Sequence, residues 1–169
     1  MLAFALALLV GLTGCGSKYS RSTPEALGIS VFEAIKNMDR EGMRDLMPTK
    51  DDLLATVRDS ELSEEEKAEA LKAFEENWDK MELEITREID DSFDELMQEE
   101  GEDAPDWPTA EIDIVAVGKP RIREKLRMTD IKVHFKCGDR RFRIDVRKSA
   151  QLNSGWVMSP DGFRIRRER

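Results

Sequence analysis

Two cysteines, one histidine and one tyrosine are the side chains of this 169-residue chain that could most readily act as nucleophiles, proton carriers or soft metal ligands. Three Cys and His residues in total cannot build a Cys/His zinc site, an iron–sulfur cluster or a disulfide framework. The sequence also lacks a Gly-x-Ser-x-Gly, P-loop or dinucleotide-binding motif. We therefore expect no metal site, no cofactor and no catalytic residue.

Cys15 follows a segment that is typical of an export signal. Residues 1–14 carry no charge, and residues 2–10 form a continuous apolar run that is too short to span about 30 Å of hydrocarbon comfortably. The sequence Leu12-Thr13-Gly14-Cys15 resembles the bacterial lipobox, whose cysteine thiol is alkylated by diacylglycerol before the signal is cleaved on its amino side. The resemblance implies a signal peptide over 1–14 and a mature lipoprotein that begins at lipidated Cys15.

A lipidated Cys15 would attach the mature protein to the bacterial cell envelope. One acyl chain binds a membrane marginally, whereas two or three hold firmly. Gly16, in place of Asp, resembles the default pattern for the outer membrane in Gram-negative lipoproteins. The alternatives are a plain secretory signal with a chance cysteine and a short membrane helix.

Residues 15–22 are mostly small and polar, and they include Tyr19. We predict that this segment is a tether between the lipid and the folded domain, reaching at most about 25 Å. Cys137 is then the remaining thiol, so no intramolecular disulfide is possible. Because Cys137 falls on the apolar face of a predicted strand, we expect it to be a small core residue.

The mature chain changes character between a helical half and a stranded half. Residues 15–107 hold 28 acids and 11 bases, whereas residues 108–169 hold 8 acids and 16 bases. We predict one α+β domain over 23–169, helical over 23–104 and forming a sheet over 109–169. The two halves therefore present surfaces of opposite charge.

Capping residues and apolar spacing predict four helices in the acidic half. Thr23, Thr49 and Ser63 can each cap a helix N-terminus, and Ser63 with Glu66 fits a capping box. The last helix is acidic and runs to about residue 99, roughly 50 Å long. Its apolar stripe indicates core packing, with a partner-binding seam as the alternative: Leu71, Phe74, Trp78, Met81, Ile85, Ile89, Phe93 and Leu96.

Alternating apolar residues predict four to five antiparallel strands in the basic half. Gly138-Asp139 is typical of a two-residue hairpin turn between two of them. Such a sheet has one apolar face, which the preceding helices can cover. The predicted strands lie at about 110–116, 131–137, 141–147, 155–158 and 163–165.

This order of elements resembles the cone-shaped α+β fold of the NTF2-like and SnoaL-like superfamily. The resemblance is carried by Thr23-Pro24-Glu25 at the first helix, by residues 32–48 and by residues 130–158. It implies helices packed on a curved sheet, with a pocket in which some family members carry acid–base residues. An isomerase of this kind would need a tyrosine in the pocket and a dehydratase paired histidines. The chain offers Tyr19 in the predicted tether and a single histidine.

A basic stripe is predicted on one face of the central hairpin: Lys132, His134, Lys136, Arg141, Arg143 and Arg147. It is either an ordinary solvated face, partly neutralised by Glu111, Asp113 and Asp145, or a site for an anionic partner such as headgroups or an acidic protein. Nucleic acid is not expected, because no aromatic residues are interleaved on that face.

We therefore expect an exported, lipid-anchored envelope protein with a non-catalytic partner-binding role. Small-molecule binding in an NTF2-like pocket is the alternative, and an isomerase- or hydrolase-type enzyme is third. An envelope protein and anionic headgroups are the candidate partners besides the membrane itself.

Overall fold

The helices begin at the side-chain caps that the sequence predicts. The protein is described by a computed structural model covering residues 18–98, 101, 104–123, 125–159 and 162–168. The Thr23 hydroxyl accepts a hydrogen bond from the amide of Ala26 at 3.1 Å, and Thr49 and Asp52 form a capping box. Ser63 and Glu66 form the predicted box at the start of the long helix, with 2.8 Å from the Ser63 amide to the Glu66 carboxylate.

Within the described residues the chain forms four α-helices followed by a six-stranded sheet, so the predicted α+β class is confirmed. The helices are α1 (Pro24–Lys36), α2 (Arg40–Arg44), α3 (Lys50–Arg58) and α4 (Glu64–Gln98). The strands are β1 (Ala110–Val117), β2 (Arg121–Arg123), β3 (Leu126–Cys137), β4 (Arg140–Leu152), β5 (Gly155–Val157) and β6 (Phe163–Glu168). With 35 residues, α4 is about 52 Å long at 1.5 Å per residue.

A long antiparallel hairpin, β3 and β4, forms the centre of the sheet. Its turn is Gly138-Asp139, as predicted, with Gly138 at φ +60°. On one side both β1 and β2 pair with β3, and on the other both β6 and β5 pair with β4. Each side of the central hairpin is thus bordered by two separate strands and not by one continuous strand. The short strand β2 was not predicted, because Gly118-Lys119-Pro120 indicates the end of a strand and not a restart.

The sheet curls into a half-barrel near a bend in the central hairpin. The register shifts between Thr129 and Ile131, and Lys148 takes a left-handed conformation at φ +52°. The amide of Lys148 donates to the Asp130 carboxylate at 2.9 Å. Here β4 leaves β6 at Val146 and pairs with β5 from Ala150 onward, so the bend redirects the strand.

Helix α1 crosses the concave face of the half-barrel, which aromatic side chains fill. A Cβ on Gly28 would lie 2.8 Å from the Ile131 side chain, so helix and sheet approach closely at this glycine. Phe135 stacks on Phe142 and on Trp107, with ring centroids 5.4 and 5.3 Å apart. Phe32 of α1 meets the Phe135 ring edge-on at 5.4 Å. These contacts leave the interior of the half-barrel occupied by the protein's own core.

Residues 18–22, which we predicted to belong to the tether, pack on the domain. We call them the N-terminal strap. Tyr19 is only 6% exposed, the Ser30 hydroxyl donates to the Ser20 carbonyl at 2.8 Å, and the Trp156 amide donates to the Arg21 carbonyl at 2.8 Å. The predicted tether over 15–22 thus includes a part, residues 18–22, that contacts α1 and β5.

Candidate functional site

The basic stripe lies together on the outer, convex face of the sheet. Register sets Lys132 opposite Asp145, His134 opposite Arg143, and Lys136 opposite Arg141. Arg147 lines the same shallow cavity, of about 220 Å³, as Lys132 and Arg143. The alternation of the two strands therefore brings all six predicted residues to one face.

Acidic neighbours neutralise part of this stripe. Arg143 pairs with the nearly buried Asp145 carboxylate at 2.9 Å, and His134 lies 3.0 Å from the Glu168 carboxylate. The Lys136 ammonium lies 3.4 Å from Glu111. Glu168 and the additional cations Arg164 and Arg166 come from β6, which pairs with β4. Sequence reasoning missed them, although their alternation with Phe163 and Ile165 places them on the polar face.

The remaining cations of the stripe face solvent. Lys132, Arg141 and Arg147 are exposed, and no ion pair to them is found among the described residues. Lys132 and Arg147 share the shallow cavity with the paired Arg143 and Asp145, whereas Arg141 does not line it. The face therefore matches a solvated, partly neutralised sheet surface better than a concentrated anion site.

A cleft of about 670 Å³ lies outside the half-barrel, at the open end of the central hairpin. It is bounded by the end of α3 and the following loop on one side and by the ends of β3 and β4 on the other. Val57, Leu62, Leu126 and Leu152 supply its apolar walls. An ion pair between Lys125 and Glu61 and a 3.4 Å hydrogen bond from Asn153 to Asp59 join its two sides. Its size suits a small ligand.

The apolar stripe of α4 divides into two parts. Toward the C-terminal end, Ile89 and Phe93 are buried in the core. In the N-terminal half, residues 64–84, the corresponding side chains are only half-buried, and the Phe74 and Trp78 rings lie 5.5 Å apart. Leu83, which is 68% exposed, lies on the opposite face of the helix from this stripe. The core prediction thus holds for the C-terminal half, and the N-terminal half keeps apolar surface in contact with solvent.

Tyr19 belongs to a polar cluster at the turn between α1 and α2, not to a tether. Its hydroxyl donates to the Asp39 carboxylate at 2.8 Å, and the Lys18 ammonium donates to the same oxygen at 2.8 Å. The Gly42 amide donates to the other oxygen at 2.8 Å. The bonds from Lys18, Gly42 and Tyr19 lower the pKa of Asp39 to about 2. The cluster ties the strap to the helices.

The two remaining chemistry-bearing residues occupy the faces predicted for them. Cys137 is buried, and this burial raises the pKa of its thiol, so the reactive thiolate is disfavoured. His134 lies on the polar face of β3. Neither side chain lines the cavities of about 220 and 670 Å³ formed by the described residues.

The predicted signal and lipidation site, residues 1–15, lie outside the described residues. No helix in the described part of the chain is long and apolar enough to cross a membrane. Among the same residues, no group of three or more His, Cys, Asp or Glu side chains is arranged to hold a metal ion. Comparison with protein-family models, with curated proteins and with solved structures finds no match.

Proposed function

We propose that this chain is an exported envelope lipoprotein, anchored through Cys15, whose domain binds a protein partner and does not catalyse a reaction. The observation that carries the proposal is the contrast between a half-barrel filled by core side chains and the N-terminal half of α4, whose apolar stripe is only partly covered. Phe32, Trp107, Phe135 and Phe142 occupy the space where a substrate pocket would lie. The N-terminal half of α4 meanwhile presents apolar side chains to solvent.

The chemistry of this half-helix defines the partner it would suit. Residues 64–84 carry nine acids and three bases. Each base already pairs within the helix: Lys67 with Glu64 at 3.1 Å, Lys72 with Glu76 at 3.9 Å and Lys80 with Glu84 at 3.9 Å. The surplus acids flank an apolar stripe, so the complementary partner is a cationic amphipathic segment.

The order of elements and the aromatic side chains that fill the half-barrel also support a distant relation to the NTF2-like fold. In such a relative the pocket would have been lost to core packing. The convex basic face is then a secondary contact surface for an anionic protein or headgroup, and it adds no catalytic group.

Small-molecule binding is the second candidate function, and the cleft of about 670 Å³ favours it. Its apolar walls and polar rim suit a compact amphipathic molecule. Recovery of the native lipidated protein with a stoichiometric small molecule and no protein partner would favour this function over the first.

The experiment that tests the proposed function is site-specific photo-crosslinking in intact cells. A photoreactive residue replaces Met81, on the apolar stripe of α4, or Ile122, which is on β2 and 81% exposed. We expect Met81 to yield a discrete protein adduct and Ile122 to yield none. Adducts absent from both positions, or confined to Ile122, would contradict a partner site on α4.

A further inference from the structure

The N-terminal strap runs antiparallel along α1. It starts beside the C-terminal end of α1, where Lys18 and Tyr19 bind Asp39. Its Ser20 carbonyl accepts from Ser30 in the middle of α1, and its Arg21 carbonyl accepts from Trp156 of β5. The chain therefore enters the domain at the corner between α1 and α2, far from the start of α1 itself.

Two glycines provide the space in which the strap lies. A Cβ on Gly42 would collide with the ring of Tyr19. A Cβ on Gly155, which has φ +121°, would lie 2.5 Å from the Arg21 carbonyl oxygen. Both ends of the strap thus depend on a residue without a side chain, and the strap is fitted to the domain surface.

This arrangement shortens the tether and fixes where it attaches. Three peptide links join Cys15 to Lys18, a reach of about 10 Å, whereas a tether extending to residue 22 would reach about 25 Å. If Cys15 is lipidated, as the proposed function holds, the α1–α2 corner lies within about 10 Å of the acylated residue. Exposed Asn37 and Met38 lie at that corner.

Helix α4 extends from the same corner. Asp90 of α4 pairs with Arg44 of α2 at 2.9 Å and also with Arg40. Asp90 lies 26 positions after Glu64, so the helix axis between them is about 39 Å long. Its surplus of acids disfavours lying flat on an anionic lipid surface. The loop before α4, including Leu62, is therefore the part of the helical layer farthest from the corner along α4.

We propose that the strap holds the domain against the membrane that carries its anchor, with the α1–α2 corner at the headgroups and the α3–α4 loop directed away. The partner of the corner is the lipid surface itself. In this orientation the N-terminal half of α4 and the cleft face away from the anchoring leaflet, where another envelope protein can reach them. This orientation rests on the proposed lipidation of Cys15.

Energy transfer from the protein to labelled lipid tests the orientation. The acylated mature protein, which begins at Cys15, is reconstituted in vesicles of phosphatidylethanolamine and phosphatidylglycerol containing an acceptor on the headgroup. A donor is attached at Asn37→Cys or at Leu62→Cys; the native Cys137 is buried. We expect several-fold higher transfer from position 37 than from position 62. Equal transfer from an acylated protein would overturn the orientation alone.

The variant Gly42→Ala tests whether the strap is what holds the domain in this orientation. A Cβ at position 42 excludes the Tyr19 ring and lies 2.9 Å from the Asp39 carboxylate that binds the strap. We therefore expect the strap to detach, transfer from position 37 to fall, and trypsin to cleave after Arg21 faster. Tyr19→Phe, which keeps the ring, is the matched control and is expected to retain most of the transfer. Unchanged transfer in Gly42→Ala would overturn the role of the strap. A mature protein whose mass shows no acyl group on Cys15 would overturn both the anchoring and the orientation.

Discussion

The two halves of α4 carry the same apolar periodicity but differ in what covers them. Phe93, in the C-terminal half, is 1% exposed, meets Phe163 edge-on at 6.2 Å and has Arg40 above its ring. Phe74, in the N-terminal half, is half-buried and has Trp78 of its own helix as its aromatic neighbour. A helical stripe in a sequence therefore indicates an apolar face without indicating whether its own domain covers it.

The largest expected difference between the two halves is in how much a buried ring contributes to the free energy of unfolding. Phe93→Ala removes a fully buried ring and should lower the free energy of unfolding by about 3–5 kcal/mol. Phe74→Ala, the same substitution on the half-exposed part, should cost about 1 kcal/mol. Urea unfolding of both variants checks this. Equal losses would mean that Phe74 is a core residue and that no partner surface lies there.

Acid should loosen the corner that anchors the C-terminal half and also the N-terminal cap of α4, where hydrogen bonds from Ser63 lower the pKa of Glu66. The Lys18, Gly42 and Tyr19 contacts hold the pKa of Asp39 at about 2, below its ordinary 3.8. The carboxylate therefore stabilises the fold above about pH 4, and this contribution is lost as the pH falls toward 2. After allowance for solvent screening we expect about 1–2 kcal/mol.

The control for this pH dependence is Asp39→Asn, which cannot lose a charge. Urea midpoints measured from pH 5 to pH 2 should fall more in the natural protein than in the variant. Parallel curves would show that the strap contact at Asp39 contributes nothing to stability.

Ion pairs should also contribute different amounts to stability in the two halves of α4. Asp90 joins α4 to Arg40 and Arg44 of α2, whereas Lys72 pairs only with Glu76 of its own helix. Asp90→Asn should cost about 1 kcal/mol, because it weakens two contacts between elements. Lys72→Ala should cost about 0.3 kcal/mol, as is usual for an exposed pair within a helix. Thermal unfolding of both variants at low and high salt measures the difference, and reversal of the order would contradict it.

Local chemistry made much of this fold predictable, and long-range contacts account for what was missed. The caps at Thr23, Thr49 and Ser63 and the turn at Gly138 depend on residues only a few positions apart. The place of Tyr19 depends on Gly42, 23 residues later, and on Asp39. The polar network of the sheet depends likewise on Glu168, which reaches His134 through strand pairing. The periodicity of the sequence does not predict such contacts between residues that are distant along the chain.

The division of α4 could not be predicted for the same reason. Leu71 and Leu96 occupy equivalent positions in the helical pattern, yet only Leu96 packs against the core cluster. How far α2, α3 and the core cluster extend along α4 decides which part of the helix is buried. The candidate surface is thus a consequence of the length of α4 relative to the domain that supports it.

Oxidative footprinting of the protein in its native envelope tests the partner surface most directly. Hydroxyl radicals oxidise exposed side chains, and Trp78 and Met81 are both half-exposed in the isolated domain. With signals normalised to Ile122, a bound partner should reduce oxidation of Trp78 and Met81 several-fold in intact cells relative to the purified protein. Equal oxidation in the two settings would contradict a partner covering the N-terminal half of α4.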